Sequence, residues 1–190
     1  MTPDEPSMPP STPDATPIAA NDSAPTHWPD LAGRLSIRND RQVHTLPVRV
    51  YFEDTDAGGI AYHGSFVRWC ERGRSDFLRL LGTDARRLID GSDDLEPAGF
   101  IVRRMTFDFF KPARMDDVLE INTTILELGG ASVKLSQIIT RDGQPVCEAD
   151  VVLVLVAASG KPMRISDAMR SLFRQGSLLG AFADGRSAGP

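Results

Sequence analysis

The chain has 190 residues, 41% of them hydrophobic, which is enough for one domain with its own core. Its longest apolar run, residues 151–158, is eight residues long, against the roughly 20 that a membrane-crossing helix needs. The net charge of −5 comes from the first 30 residues, which hold five acids and no Lys or Arg. The rest balances 21 basic against 21 acidic residues, which argues against a nucleic-acid binder working through a basic field.

Residues 1–33 read as a disordered, Pro-rich tail. Eight of the fourteen prolines fall in the first 30 residues, among many Ser, Thr, Asp and Ala. Such a composition buries too little apolar surface to offset the entropy of ordering. No basic start followed by an apolar stretch is present, so a secretory signal is not expected. Cys70 and Cys147 lack metal-type spacing and read as reduced, buried thiols. A cytoplasmic location is the expectation from these features.

Residues 34–175 read as the folded domain. Residues 44–52 carry Leu46, Val48 and Val50 in alternation, a strand pattern. An acidic, glycine-containing loop follows, with Glu53, Asp54, Asp56, Gly58 and Gly59. Residues 64–81 repeat apolar side chains at Phe66, Trp69, Cys70, Phe77, Leu80 and Leu81. Those spacings of three and four put them on one face of a helix. Gly73 falls on that face and permits close approach of another element, and Gly82 fits a C-terminal cap. Four strands are expected next, at residues 100–110, 118–128, 131–141 and 145–157. Gly129-Gly130 and Asp142-Gly143 lie between successive strands and signal hairpins, hence antiparallel neighbours. A short helix at 166–173 closes the domain, and residues 176–190 read as a second flexible tail. The fold class is α+β: five antiparallel strands around one long helix.

The loop between the first strand and the long helix is where chemistry concentrates. Asp56 precedes His63 by seven residues, with two glycines between. Glycine lets the backbone take conformations that other residues resist. The loop opens directly into a helix, whose first N–H groups lack internal partners and favour anions. A carboxylate beside a preorganised set of donors is a workable kit for acyl transfer. Asp54, Asp56 and His63 do not make a metal set, because His27 lies in the tail and His44 in a strand. Tyr62, Phe66 and Trp69 read either as core or as the lining of an acyl tunnel. Arg103, Arg104, Lys111 and Arg114 read either as solvated charge or as contacts to phosphates or a carrier-protein surface.

The motif resembles the signature of hotdog-fold acyl-CoA thioesterases of the 4-hydroxybenzoyl-CoA thioesterase family. The likeness is carried by Arg49-Val50, Thr55-Asp56, Gly59-Ile60, His63, Phe66, Glu71-Arg72 and Arg74. It resumes at residues 100–105, at 111–117 and at 119–121, and spans about residues 43–173. Within the family it is most similar to the branch encoded beside the Tol-Pal envelope system. The resemblance implies a hotdog fold and thioester hydrolysis without metal or cofactor. It makes Asp56 the essential carboxylate, as nucleophile or general base. It implies an oxyanion site at the helix start by His63, with Gly59, Tyr62 and Ser132 as substrate contacts. It implies an acyl-CoA substrate, with acyl carrier protein as a second donor in view. It also implies a homodimer or larger homo-oligomer, such as a tetramer, with the site between protomers. Ala61 departs from the pattern, which usually has Val there, and leaves more room beside the site. Two other readings stand beside this one: a non-catalytic acyl or carrier-protein binding module at the envelope, and a hotdog dehydratase. The retained Asp56 argues against the first, and the Thr-Asp-x-x-Gly-Ile pattern against the second.

Overall fold

The computed structural model describes residues 33–39, 41–82, 85–91 and 96–178. Both sequence-assigned tails fall almost wholly outside these residues. The described elements are β1 Arg34–Arg38, β2 Arg41–Arg49, a 3₁₀ turn Phe52–Asp54, α1 His63–Leu80, α2 Ala85–Asp90, β3 Ala98–Phe109, β4 Val118–Leu128, β5 Ser132–Arg141, β6 Gln144–Ala157 and α3 Asp167–Leu178.

Six strands form one antiparallel sheet in the order β1-β2-β4-β5-β6-β3. The expectation of five missed β1. That strand carries only Leu35 and Ile37 as apolar residues, and both stay exposed, so its sequence lacks a buried-face signal. Backbone pairing with β2 makes it a strand, and Asn39 turns the corner at φ 50°. Asn tolerates that left-handed conformation better than most residues. At the other end, α3 runs to Leu178, three residues beyond the domain end read from sequence.

The long helix packs on the inner face of this sheet. Phe66, Trp69, Cys70, Gly73 and Phe77 are buried along α1, as their spacing requires. Val133, Leu135, Gln137 and Ile139 on β5, and Val151, Leu153 and Leu155 on β6, alternate inward to meet it. Gly73 makes the closest passage: a Cβ there would lie 2.8 Å from Ile121 Cγ2 and 3.2 Å from Thr123 Oγ1. One polar pin crosses this interface, the Gln137 amide donating to Cys70 O and Thr123 Oγ1, both at 2.9 Å.

A second pin ties the first hairpin to the far half of α1. His44, fully buried, donates from Nε2 to Asp76 Oδ2 at 2.7 Å and stacks on Phe77. The Gly33 N–H donates to the same oxygen at 2.6 Å, and Arg79 pairs with the other. His44 Nδ1 is buried without a partner, so a proton there has no acceptor. Burial lowers the His44 pKa from 6.5, outweighing the bond and charge of Asp76, with Arg79 adding to the lowering. Burial pushes the Asp76 carboxyl up. The donors Gly33 and His44 and the charges of His44 and Arg79 overcome this and hold it below 3.8.

Both groups have folded pKa values below their unfolded ones. The stability they contribute is therefore present above about pH 6.5 for His44, and it is lost as pH falls through the folded value. Asp76 adds a further loss below 3.8. Denaturant midpoints measured from about pH 7.5 to 5.5 should decline for the wild type. They should be flatter for His44→Gln, which cannot titrate. An equal decline in that variant would place the titrating group elsewhere.

Candidate active site

The acidic loop is built on paired backbone. Past β2, Val50 exchanges backbone bonds with the residues just before β4: its N–H donates to Asp117 O and its carbonyl accepts from Asp116, both at 2.9 Å. After the 3₁₀ turn, Thr55 and Ala61 form a two-residue bridge. Between them the Asp56 N–H donates to Ile60 O, and the Gly59 N–H to Asp56 O, both at 3.0 Å. Gly59 sits at φ 71°, a conformation that side chains resist. The Gly58 N–H donates to Asp56 Oδ1 at 2.8 Å, which orients the carboxylate. Asp56 is thus exposed yet held in a defined turn.

The chain then enters α1 with Tyr62 as N-cap, no side-chain cap bond and no acid in the first turn. Helix starts present N–H groups without intrahelical acceptors and a partial positive charge. The Ser65 N–H turns back to Tyr62 O at 2.8 Å. Those of His63 and Gly64 have no protein acceptor among the described residues. They form a donor pair at the helix start.

Asp56 and His63 line one cleft of about 400 Å³ with Ile60, Ala61 and Phe66. The opposite wall is Phe109 to Ala113, from the end of β3 and the segment after it. The Ala61 N–H donates to Ala113 O at 2.8 Å and fastens the two walls together. Phe66 meets Phe109 edge-to-face at 5.3 Å and Trp69 at 5.0 Å, so the cleft floor is aromatic. Lys111 is the lone cationic side chain lining it among the described residues.

Of the residues singled out from sequence, the cleft brings together Asp56, His63, Phe66 and Lys111, while Trp69 packs against Phe66 in the core. Gly59 forms the turn behind them. Tyr62 is half-exposed, its ring 4.2 Å from the His63 ring and folded against Gly64. Ser132 opens β5 opposite Val154. None of these last three lines the cleft of the single protomer. The sequence reading does not mark Phe109 to Ala113 as a wall of the cleft. Its sequence signal is an aromatic pair, Phe109-Phe110, ending a strand just before Lys111-Pro112.

The antiparallel sheet wrapped round one long helix is a hotdog fold, and Asp56 and the start of that helix border its aromatic cleft. Comparison with known proteins agrees. The model of the thioesterase superfamily matches residues 58–148, from the Gly59 turn through α1 and the far wall. The acyl-CoA thioester hydrolase YbgC of Escherichia coli O157:H7 is 39% identical over 131 residues, covering 68% of this chain and 94% of that protein. The acyl-CoA thioesterase YbgC of Haemophilus influenzae is 31% identical over 130 residues, covering 68% and 93%. Among solved structures, a probable thioesterase from Bartonella henselae superposes with TM-score 0.62 at 37% identity, covering 65% of this chain and 99% of that one. A gentisyl-coenzyme A thioesterase superposes with TM-score 0.61 at 27% identity, covering 68% and 98%. The chain belongs to the thioesterase superfamily.

Proposed function

We propose that this chain hydrolyses acyl-CoA thioesters to the free acid and the CoA thiol, with Asp56 as nucleophile or general base. The observation that carries the reading is that Asp56 and His63, the first residue of α1, line one cleft, and the His63 N–H has no protein acceptor among the described residues. The thioester carbonyl oxygen, placed at His63 and Gly64, gains charge as the carbon is attacked, and both amides stabilise it. In the nucleophilic route an Asp56 oxygen bonds to the carbonyl carbon and the C–S bond breaks. CoA then leaves as thiolate, and water hydrolyses the resulting anhydride. In the general-base route Asp56 takes a proton from water, the hydroxide attacks, and the proton passes to the departing thiolate. The aromatic floor supports an apolar acyl group. Gly59 and Tyr62 border the oxyanion site and are proposed as substrate contacts.

The same reading extends to assembly. β3 is a 12-residue sheet edge on which Ile101 and Val102 are exposed, and an uncovered edge invites pairing. A second copy there gives a homodimer or larger homo-oligomer, with the site between protomers and Ser132 as a contact in that assembly. Likeness to the YbgC relatives supports the branch encoded beside the Tol-Pal system. No described helix is long and apolar enough to cross a membrane, and the proposed location is the cytoplasm.

The test is thiol release from short, long and aromatic acyl-CoAs, with acyl carrier protein thioesters run in parallel. Turnover of the CoA series is expected. Turnover of carrier-protein thioesters alone would move the donor to the protein. Silence of both series in a folded oligomer would turn the reading toward a binding module.

A further inference from the structure

We propose that Ser65 is a positioning residue for hydrolysis, acting through Asp54 on the turn that carries Asp56; this rests on the function proposed above. Ser65 is fully buried in the first turn of α1. Its hydroxyl donates to the Asp54 carbonyl at 3.1 Å and accepts from Arg68 Nη2 at 2.9 Å. The same Asp54 carbonyl accepts the Tyr62 N–H at 2.7 Å. The Asp54 side chain is also engaged and buried: Oδ2 accepts the Tyr51 N–H at 3.0 Å, and Oδ1 lies 3.5 Å from Arg68 Nη2.

One buried carbonyl therefore joins the residue just before the Asp56 turn to the two points just after it. Residues 55–61 hang between these anchors, closed by the Thr55–Ala61 bridge. The clamp sets where Asp56 stands relative to the N–H groups of His63 and Gly64. A buried hydroxyl costs free energy unless it is bonded. Here both of its bonds serve the alignment of loop and helix, and none reaches the cleft. Ser65 is absent from the cleft lining, so it acts on the reaction only through the position of other groups.

Ser65→Ala removes the hydroxyl and leaves the backbone bonds in place. Because small misplacements of reacting groups slow chemistry strongly, kcat should fall about tenfold, with KM within about twofold of wild type. Amide hydrogen exchange at Gly58, Gly59 and Ile60 should quicken while the α1 core stays protected. Leu153→Val, a core truncation on β6 beside Phe77 and Leu78 in the far half of α1, supplies the comparison, with lowered melting temperature and unchanged kcat. Arg68→Ala, on a mostly exposed side chain, releases the Ser65 hydroxyl from one side and should lower kcat by about twofold to fivefold. An unchanged kcat in Ser65→Ala overturns the proposal, as does an equal kcat loss in Leu153→Val. If Ser65→Ala does not fold, Arg68→Ala decides, and an unchanged kcat there overturns it. Activity surviving in Asp56→Asn instead removes the role of Asp56 on which this inference rests. A dead Asp56→Asn beside a wild-type Ser65→Ala removes this inference alone.

Discussion

Asp56→Asn should lower kcat by about 10²–10⁴-fold, the span of a lost acid–base or nucleophilic group, with KM close to wild type. The substitution tests chemistry and leaves structure alone. The asparagine oxygen still accepts the Gly58 N–H that orients the carboxylate at 2.8 Å, and the backbone bonds of residues 56, 59 and 60 do not involve the side chain. The turn should survive, with an unchanged melting temperature. The amide cannot take a proton from water at neutral pH and is a far weaker nucleophile than a carboxylate. Both routes therefore stop. Residual turnover would measure what the helix N–H groups and binding supply alone. Stopped-flow thiol release on the acyl-CoA that performs best with the wild type checks this. Wild-type turnover in the variant would mean that another carboxylate carries the reaction.

Trp69→Ala should destabilise the fold by about 3–5 kcal/mol, the usual cost of removing a buried aromatic ring. Trp69 is among the largest fully buried side chains, 1% exposed, and sits on the inner face of α1. Its ring supports Phe66, which in turn meets Phe109 across the cleft floor. A rigid helix over a six-stranded sheet cannot collapse into the vacated volume, so the loss combines transfer and cavity terms. Against a total stability of about 5–15 kcal/mol this is a large share. A urea midpoint lower by about 2 M is expected at an ordinary slope. Where the variant still folds, the loosened Phe66 should raise KM more than it lowers kcat, since it touches the acyl side of the cleft and not the carboxylate. A midpoint shift well under about 1 M would mean that the core repacks around the gap.

The chain alone determined what depends on local period and local chemistry. The helix over α1 followed from apolar spacings of three and four, and the inner faces of β5 and β6 from alternation and turn glycines. Gly73 was legible as a close-approach position because it falls on the apolar face of the helix, and the structure puts Ile121 there. Asp56, the glycine turn and His63 were legible as neighbours because they lie within eight residues, so a short loop must keep them near one another.

The tertiary structure decided what depends on distant segments meeting. β1 carries too little apolar pattern to announce itself and exists through pairing with β2. The far wall, Phe109 to Ala113, lies some fifty residues from the Asp56 turn and reaches it through sheet order, because β3 pairs at the edge with β6. The His44–Asp76 pin and the Ser65–Asp54 clamp each join residues whose separation in sequence carries no period. Burial and hydrogen-bond partnership belong to the packed state. A serine or an aspartate reads the same in sequence whether it faces water or anchors a buried turn.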